Sequence, residues 1–419
     1  MTSTPLDARG TAGTGASEIF VARQAVVDRR QEIHGYELLF RSGLDSAARP
    51  DTPDRASFEM LHTALLGFGL DSLLGDRAGY LPASREVLLQ EFYLILPKER
   101  TVLQVADGVT PDDQVVTACR VLRERGYSLA IDDFLRRPDL LPLATLADVV
   151  RVDYTGTPEA ERRAIVREFL PRKVRLLATS VDTRLQFADA AREGFTHFQG
   201  GFFAEPELLS TPDVPAYKRN CMRFMTELHR PELNFDRLDE LIRQEVALTV
   251  KLLRYLNSAG FGWRHEVTSI KQALRVLGED ATRKWCSLIA LTVMGGDRPA
   301  QVVQVSMLRA ALAEQVGMEA GLAGLSLDLF LTGMLSTIDV LLGRPMEEAL
   351  SQMPLSVEVR NTLLGKRTRL STVWQLVLAY ERADWPQVKE LAQAADLSPG
   401  RLPFIYRNAV QWVDRIYKS

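Results

Sequence analysis

Three short stretches of this chain concentrate side chains able to do chemistry: Tyr36-Glu37-Leu38-Leu39-Phe40-Arg41 near the start, Ile131-Asp132-Asp133-Phe134 in the middle of the first half, and Gln199-Gly200 near its end. Glu37, Asp132 and Asp133 supply the carboxylate oxygens that hard divalent cations take as ligands. Arg41 supplies a guanidinium of the kind that pairs with phosphate and with guanine edges. A plainer reading stands beside this one. Glu37 and Arg41, four residues apart, can form a simple ion pair, and Asp132-Asp133 can cap the segment that follows.

The second half is poor in such residues. The chain has five histidines (His34, His62, His197, His229, His265) and none after His265, so a histidine-rich di-metal centre cannot be built late in the sequence. His265 follows Phe261-Gly262-Trp263-Arg264, a turn that reads as packed on its own fold. The three cysteines (Cys119, Cys221, Cys286) are widely spaced, with neither a metal nor a disulfide pattern, which fits a reducing cytoplasm.

These residues need elements to hold them. A chain of 419 residues calls for two or three domains. Its 46% hydrophobic and 25% charged residues are those of a soluble globular protein. A net charge of −3 argues against nucleic acid as a partner. No apolar run reaches the ~18 residues of a membrane span. Residues 1–17 read as a disordered tail rather than a secretory signal, so a cytoplasmic location is expected.

Strands and helices alternate in the first half. Ile19 to Val27 and Glu32 to Phe40 read as strands. Thr110-Pro111 reads as the start of a helix that runs to Gly126. Strands follow at Ser128 to Ile131, Asp148 to Val152, Val174 to Ala178 and His197 to Phe203. Helices open at Thr157-Pro158 and at Thr183, the latter closed by Gly194. This alternation implies βαβ units around a parallel sheet, with polar residues at strand ends, where a (β/α) barrel builds its site.

In this order, Glu37-Leu38-Leu39-Phe40-Arg41, Asp132-Asp133-Phe134, Arg151-Val152-Asp153, Ala178-Thr179-Ser180-Val181-Asp182-Thr183 and Gln199-Gly200-Gly201-Phe202-Phe203 resemble the EAL domain, a (β/α)-barrel phosphodiesterase of cyclic di-GMP. The resemblance covers residues 18–206 and implies a set of metal-holding and catalytic side chains. Glu37, Asp132-Asp133 and Gln199 match that set. Where the family has Asn, Glu, Lys and Glu, this chain has Pro82, Gln104, Arg151 and Thr179. Proline offers no side-chain oxygen, and the amide of Gln104 is a poorer ligand for a hard cation than a carboxylate. Arg151 keeps the charge without the compact ammonium, and Thr179 cannot supply a carboxylate base. The turn after the Asp pair is Leu135-Arg136-Arg137-Pro138 instead of glycine-rich. The expectation is a degenerate, shortened barrel with no catalytic residue, no metal and no cofactor.

Prolines at 206, 212 and 215 mark a linker, and beyond it the strand pattern stops. Asn234 or Asp236 caps a helix running through Leu238, Leu241, Ile242, Val246, Val250, Leu253 and Leu256. Thr268 or Ser269 caps another, closed by Gly278. Further helices span Leu327 to Leu342, Val373 to Tyr380 and Pro403 to Tyr417. Leu252-Leu253-Arg254-Tyr255-Leu256-Asn257-Ser258-Ala259 and Val267-Thr268-Ser269-Ile270-Lys271-Gln272-Ala273-Leu274 resemble the HDOD domain, a helical bundle related to HD metal phosphohydrolases, placed at residues 207–419. Ser336-Thr337, read as lying inside a helix, stand where an HD enzyme would carry His-Asp.

The pair of resemblances matches the EAL–HDOD (YuxH-like) signalling proteins of bacteria. It implies a catalytically inactive regulator in or near cyclic di-GMP signalling, with other signalling proteins as partners and homodimer formation compatible with the sequence. The alternative is a cyclic di-GMP receptor using Glu37, Arg41, Asp132, Asp133, Gln199 and the Arg136-Arg137 loop. A third reading is residual cyclic di-GMP hydrolysis at a rebuilt metal site.

Overall fold

The computed structural model describes residues 19–42, 69–89, 96–106, 108–132, 138–202, 215–243, 274, 277–351 and 353–418. Its first half is a closed barrel of eight strands in sequence order: β1 (Ile19–Asp28), β2 (Ile33–Ser42), β3 (Ala78–Ala83), β4 (Thr101–Val105), β5 (Ser128–Asp132), β6 (Val149–Asp153), β7 (Arg175–Thr179) and β8 (His197–Phe198). β1 runs antiparallel to both neighbours, β2 and β8, and every other pairing is parallel. Helices α1 (Leu70–Leu74), α2 (Arg85–Leu89), α3 (Asp113–Glu124), α4 (Leu141–Ala144), α5 (Glu159–Phe169) and α6 (Arg184–Glu193) fall between the strands.

A short apolar layer of Val26, Tyr80, Val102, Ala130, Val149 and Leu177 packs together as one cluster of buried strand residues. The larger cluster joins strand residues such as Leu38, Leu103, Ile131 and Leu176 to helix residues Val115, Leu122, Ile165 and Phe169. Burial of this kind contributes roughly 25 cal/mol per Å² of apolar surface.

The second half is helical: α7 (Ala216–Leu228), α8 (Phe235–Arg243), α9 (Glu279–Met294), α10 (Ala300–Glu319), α11 (Ser326–Leu335), α12 (Ile338–Leu342), α13 (Met346–Ser351), α14 (Val357–Leu363), α15 (Ser371–Glu381), α16 (Trp385–Ala394) and α17 (Leu402–Lys418). Phe20 and Ala22 of β1 are buried in the same apolar cluster as these helices. β1 and β2 are 10 residues long, against 6 for β3, and Leu38–Ser42 pair with β1 alone. That overhang meets the bundle. The Phe20 and Trp385 rings lie 5.9 Å apart, the Tyr380 hydroxyl donates to the Val21 carbonyl at 3.1 Å, and the Arg23 amide donates to the Tyr406 hydroxyl at 3.2 Å.

Several boundaries differ from the sequence reading. Helix α3 opens at Asp112, not Thr110-Pro111: the Asp112 carboxylate accepts from the Val115 amide and caps the turn. At Thr157-Pro158 the cap position is Pro158, with no side-chain cap bond. Thr183 does cap α6, in a capping box with Gln186. The last strand stops at Phe198 instead of Phe203, because the chain turns at Gly200, whose φ of 153° no strand residue adopts. Asn234 is the cap of α8, accepting from the Arg237 amide at 3.0 Å. Leu327 to Leu342 is not one helix. It breaks at Ser336-Thr337, where the Ser336 hydroxyl bonds back to the Gly333 carbonyl at 2.8 Å.

The N-terminal tail, Asp133 with Leu135-Arg136-Arg137, the linker across 203–214, the helices expected beyond Arg243 through Thr268 and Ser269, and His265 with its turn lie outside the described residues.

Candidate functional site

The polar strand-end residues meet around one guanidinium. Glu37 on β2 is 8% exposed, Arg151 on β6 9% and Gln199, just after β8, 3%. Alternation along β2 turns Glu37 away from its apolar neighbours Tyr36 and Leu38, and the parallel register sets Asp132 directly beside Arg151. Arg151 Nη1 donates to Glu37 Oε1 at 2.7 Å, and Nη2 donates to Glu37 Oε2 at 3.1 Å, a bidentate pair. Arg151 Nε lies 3.2 Å from Asp132 Oδ1. Gln199 donates through Nε2 to Glu37 Oε2 at 2.5 Å and to Gln24 Oε1 at 3.0 Å, and its Oε1 accepts from Arg151 at 3.4 Å. Gln104 closes the other side, donating to Asp132 Oδ2 at 2.8 Å.

Burial by itself would lower the Arg151 pKa; the charges of Glu37 and Asp132 outweigh it and hold the guanidinium above its ordinary value. Arg151 therefore stays a fixed cation between two carboxylates. Beside it the Tyr80 hydroxyl is buried, which raises its pKa, and among the described residues it has no hydrogen-bond partner.

The pairing of Glu37 with Arg41 does not form: Glu37 turns to Arg151 instead. Both residues lie within one strand, β2, rather than at a strand-to-helix junction, so Arg41 is outside the cluster. Pro82 lies on β3 opposite Gln104 and brings no donor. Thr179, opposite Asp153, spends its hydroxyl on the Val152 carbonyl at 3.3 Å. The position of Asp133 lies outside the described residues. Gln24 was missed; its signal was a polar residue between Ala22 and Val26 on one face of β1.

A divalent pair of the EAL type needs several carboxylates within reach. Here Glu37 and Asp132 already face one guanidinium, and their neighbours Gln104, Gln199 and Thr179 are neutral. The described residues of this cluster alone do not complete such a metal centre. Among the described residues no group of three or more His, Cys, Asp or Glu could hold a metal ion.

A second arginine occupies the break between α11 and α12. Arg309 on α10 donates through Nε and Nη2 to the two oxygens of Glu381 on α15, both at 2.7 Å, and through Nη1 to the Ser336 hydroxyl at 3.2 Å. Thr337, 1% exposed, hydrogen-bonds the Ser306 hydroxyl. Ser336-Thr337 are thus structural polar contacts of the bundle core, and neither Arg309 nor Glu381 was singled out from the sequence.

The HDOD domain family model matches residues 214–371. The chain is 30% identical to the cyclic di-GMP phosphodiesterase CdgJ of Vibrio cholerae over 375 residues, 88% of this chain and 87% of that protein. It is 27% identical to the uncharacterized protein YuxH of Bacillus subtilis over 402 residues, 94% of this chain and 98% of that one. Among solved structures, the PaMucR phosphodiesterase in complex with c-di-GMP is similar over 44% of this chain and 94% of its own, at 20% identity and a TM-score of 0.37. Among the described residues no helix is long and apolar enough to cross a membrane.

Proposed function

Because this chain, an EAL-type barrel followed by an HDOD domain, belongs to the family of CdgJ and YuxH, we propose that it is a non-catalytic regulator in cyclic di-GMP signalling that acts through contacts with other proteins. The observation that carries the reading is that the two matching carboxylates Glu37 and Asp132 are both engaged by the Arg151 guanidinium rather than left open to a metal ion. A lost side-chain oxygen at Pro82 and lost carboxylates at Gln104 and Thr179 support the same conclusion. So does Ser336-Thr337 in the bundle, two hydroxyls engaged with Arg309, Gly333 and Ser306.

Two further readings have support of their own. Glu37, Asp132 and Gln199 remain gathered at one end of the barrel, which favours a cyclic di-GMP receptor. The name of CdgJ, at 30% identity, favours retained hydrolysis. Incubation of the purified full-length chain with cyclic di-GMP and Mg²⁺ or Mn²⁺ separates the three. The proposal expects no linear product. Turnover abolished by Glu37→Ala establishes hydrolysis, and calorimetric binding without turnover establishes the receptor.

A further inference from the structure

We propose that β1 and β2 carry the state of the Arg151 cluster to the helical bundle, through two pairs of adjacent residues that face opposite ways. On β1, Gln24 belongs to the cluster, accepting from Gln199 Nε2 at 3.0 Å, while its neighbour Arg23 contacts the bundle. On β2, Glu37 holds Arg151, while its neighbour Tyr36 donates to Gln304 Oε1 on α10 at 3.3 Å. The register sets Gln24 opposite Glu37, so these two share one face of the ribbon and Arg23 and Tyr36 share the other.

The second face is locked onto the bundle. The Arg23 guanidinium lies 4.3 Å from the centre of the Tyr36 ring and donates to the Leu73 carbonyl on α1 at 2.7 Å. It also reaches Asp414 on α17 at 3.7 Å, and the Arg23 amide donates to the Tyr406 hydroxyl on the same helix at 3.2 Å. The Arg23 side chain is 5% exposed, Tyr36 8% and Tyr406 2%. None of the three can absorb a strand movement by swinging into solvent, so the contacts with α10 and α17 must change instead.

The interface thus has two parts. At the overhang, Phe20 and Ala22 are buried in the bundle's apolar core, and burial is non-directional, so it tolerates small displacements. Hydrogen bonds weaken steeply as their angle closes. The Arg23–Tyr406 and Tyr36–Gln304 bonds are therefore the part that responds when Gln24 or Glu37 moves. Coupling between sites is carried by continuous packing and hydrogen bonds, and here it crosses a single peptide bond on each strand. The inference holds whether the barrel binds, cleaves or ignores cyclic di-GMP, because any rearrangement of the cluster enters through the same two residues.

Hydrogen exchange of the full-length protein, read by mass spectrometry, tests the coupling in both directions. In Gln24→Ala and in Glu37→Gln, amides of α10 and α17 are expected to exchange at least about twofold faster, the low end of couplings between packed sites. Amides of α14, which takes no part in these contacts, are expected to keep their wild-type rates. Reciprocally, Tyr406→Phe is expected to speed exchange in β6, which carries Arg151. Gln24 is exposed, so its variant keeps the test open even if the buried Glu37→Gln change unfolds the barrel. Unchanged exchange of α10 and α17 in Gln24→Ala overturns the proposal. So does an equal acceleration of α14, the mark of general loosening.

Discussion

Arg151 and Glu37 stand 114 residues apart in sequence on opposite sides of the barrel, β6 and β2, and meet as a bidentate ion pair at 2.7 and 3.1 Å. The pair is buried, with side chains 10% and 11% exposed. One arginine thus neutralises a carboxylate that would otherwise need a bound cation, and it reaches Asp132 as well.

Removing that cation leaves two carboxylates facing each other in a poorly solvated space. Arg151→Ala is expected to destabilise the barrel by about 3–5 kcal/mol, the range for breaking a buried pair on one side. Replacing both partners with neutral residues, Glu37→Gln with Arg151→Met, should cost much less than the sum of the single changes. Urea unfolding followed by circular dichroism, run as a double-mutant cycle, measures the coupling.

The bundle makes the same kind of prediction at a second place. Arg309 holds both oxygens of Glu381 and the Ser336 hydroxyl, and the Glu381 charge outweighs burial to keep its pKa raised. Arg309→Ala is expected to destabilise the bundle by about 3 kcal/mol or more, while Ser336→Ala, which loses one charge-assisted hydrogen bond, should cost about 1–2 kcal/mol. Thermal unfolding of the two variants ranks them.

Gly200 sets the direction of Gln199. A Cβ at Gly200 would lie 1.9 Å from the Val181 carbonyl oxygen, a backbone atom that cannot swing aside, and its φ is 153°. The Val181 amide also donates to the Gln199 carbonyl at 3.0 Å. Gly200→Ala should therefore destabilise by about 3 kcal/mol or more, whereas Gly201→Ala, with only the Asp182 side chain 3.5 Å away, should be close to neutral. Comparison of the two melting temperatures checks the assignment.

Two histidines, His229 buried and His197 half-buried, make stability depend on pH. Burial, then the nearby charges of His34 and Arg175, pushes the His197 pKa from 6.5 to about 4 against a smaller opposing effect of Asp28. Burial and Arg283 push His229 to about 4. Both bind a proton more weakly folded than unfolded. Their contribution is therefore complete above pH 6.5 and is lost as the pH falls toward 4, by up to about 3 kcal/mol each at ~1.4 kcal/mol per pH unit. Urea midpoints should fall between pH 7 and pH 4.5, and His229→Gln should flatten that slope.

Much of the barrel was legible because its signals are local. Strand apolarity, the Thr183–Gln186 capping box and Gly194 each act within a few residues, and they place β5, β6, β7 and α6 to within a residue or two. The Arg151 side chain was legible as a departure from lysine, but its partner was not, because nothing in the sequence near Arg151 points across the barrel to Glu37. Glu37 and Arg41 looked paired on spacing alone; the strand geometry and the stronger buried partner decided otherwise. The break at Ser336-Thr337 was hidden for a related reason. The surrounding pattern is apolar and helical, and the stop comes from hydroxyl bonds to Gly333 and Ser306, a tertiary effect.

The central claim is that the Arg151 guanidinium does the electrostatic work a metal centre would otherwise do, and Mn²⁺ binding tests it most directly. Paramagnetic titration of the full-length protein should show no Glu37-dependent Mn²⁺ site in the wild-type chain. In Arg151→Ala, where Glu37 and Asp132 are left without their cation, a weak site should appear. A Mn²⁺ site in the wild-type protein that is lost on Glu37→Gln would contradict the account.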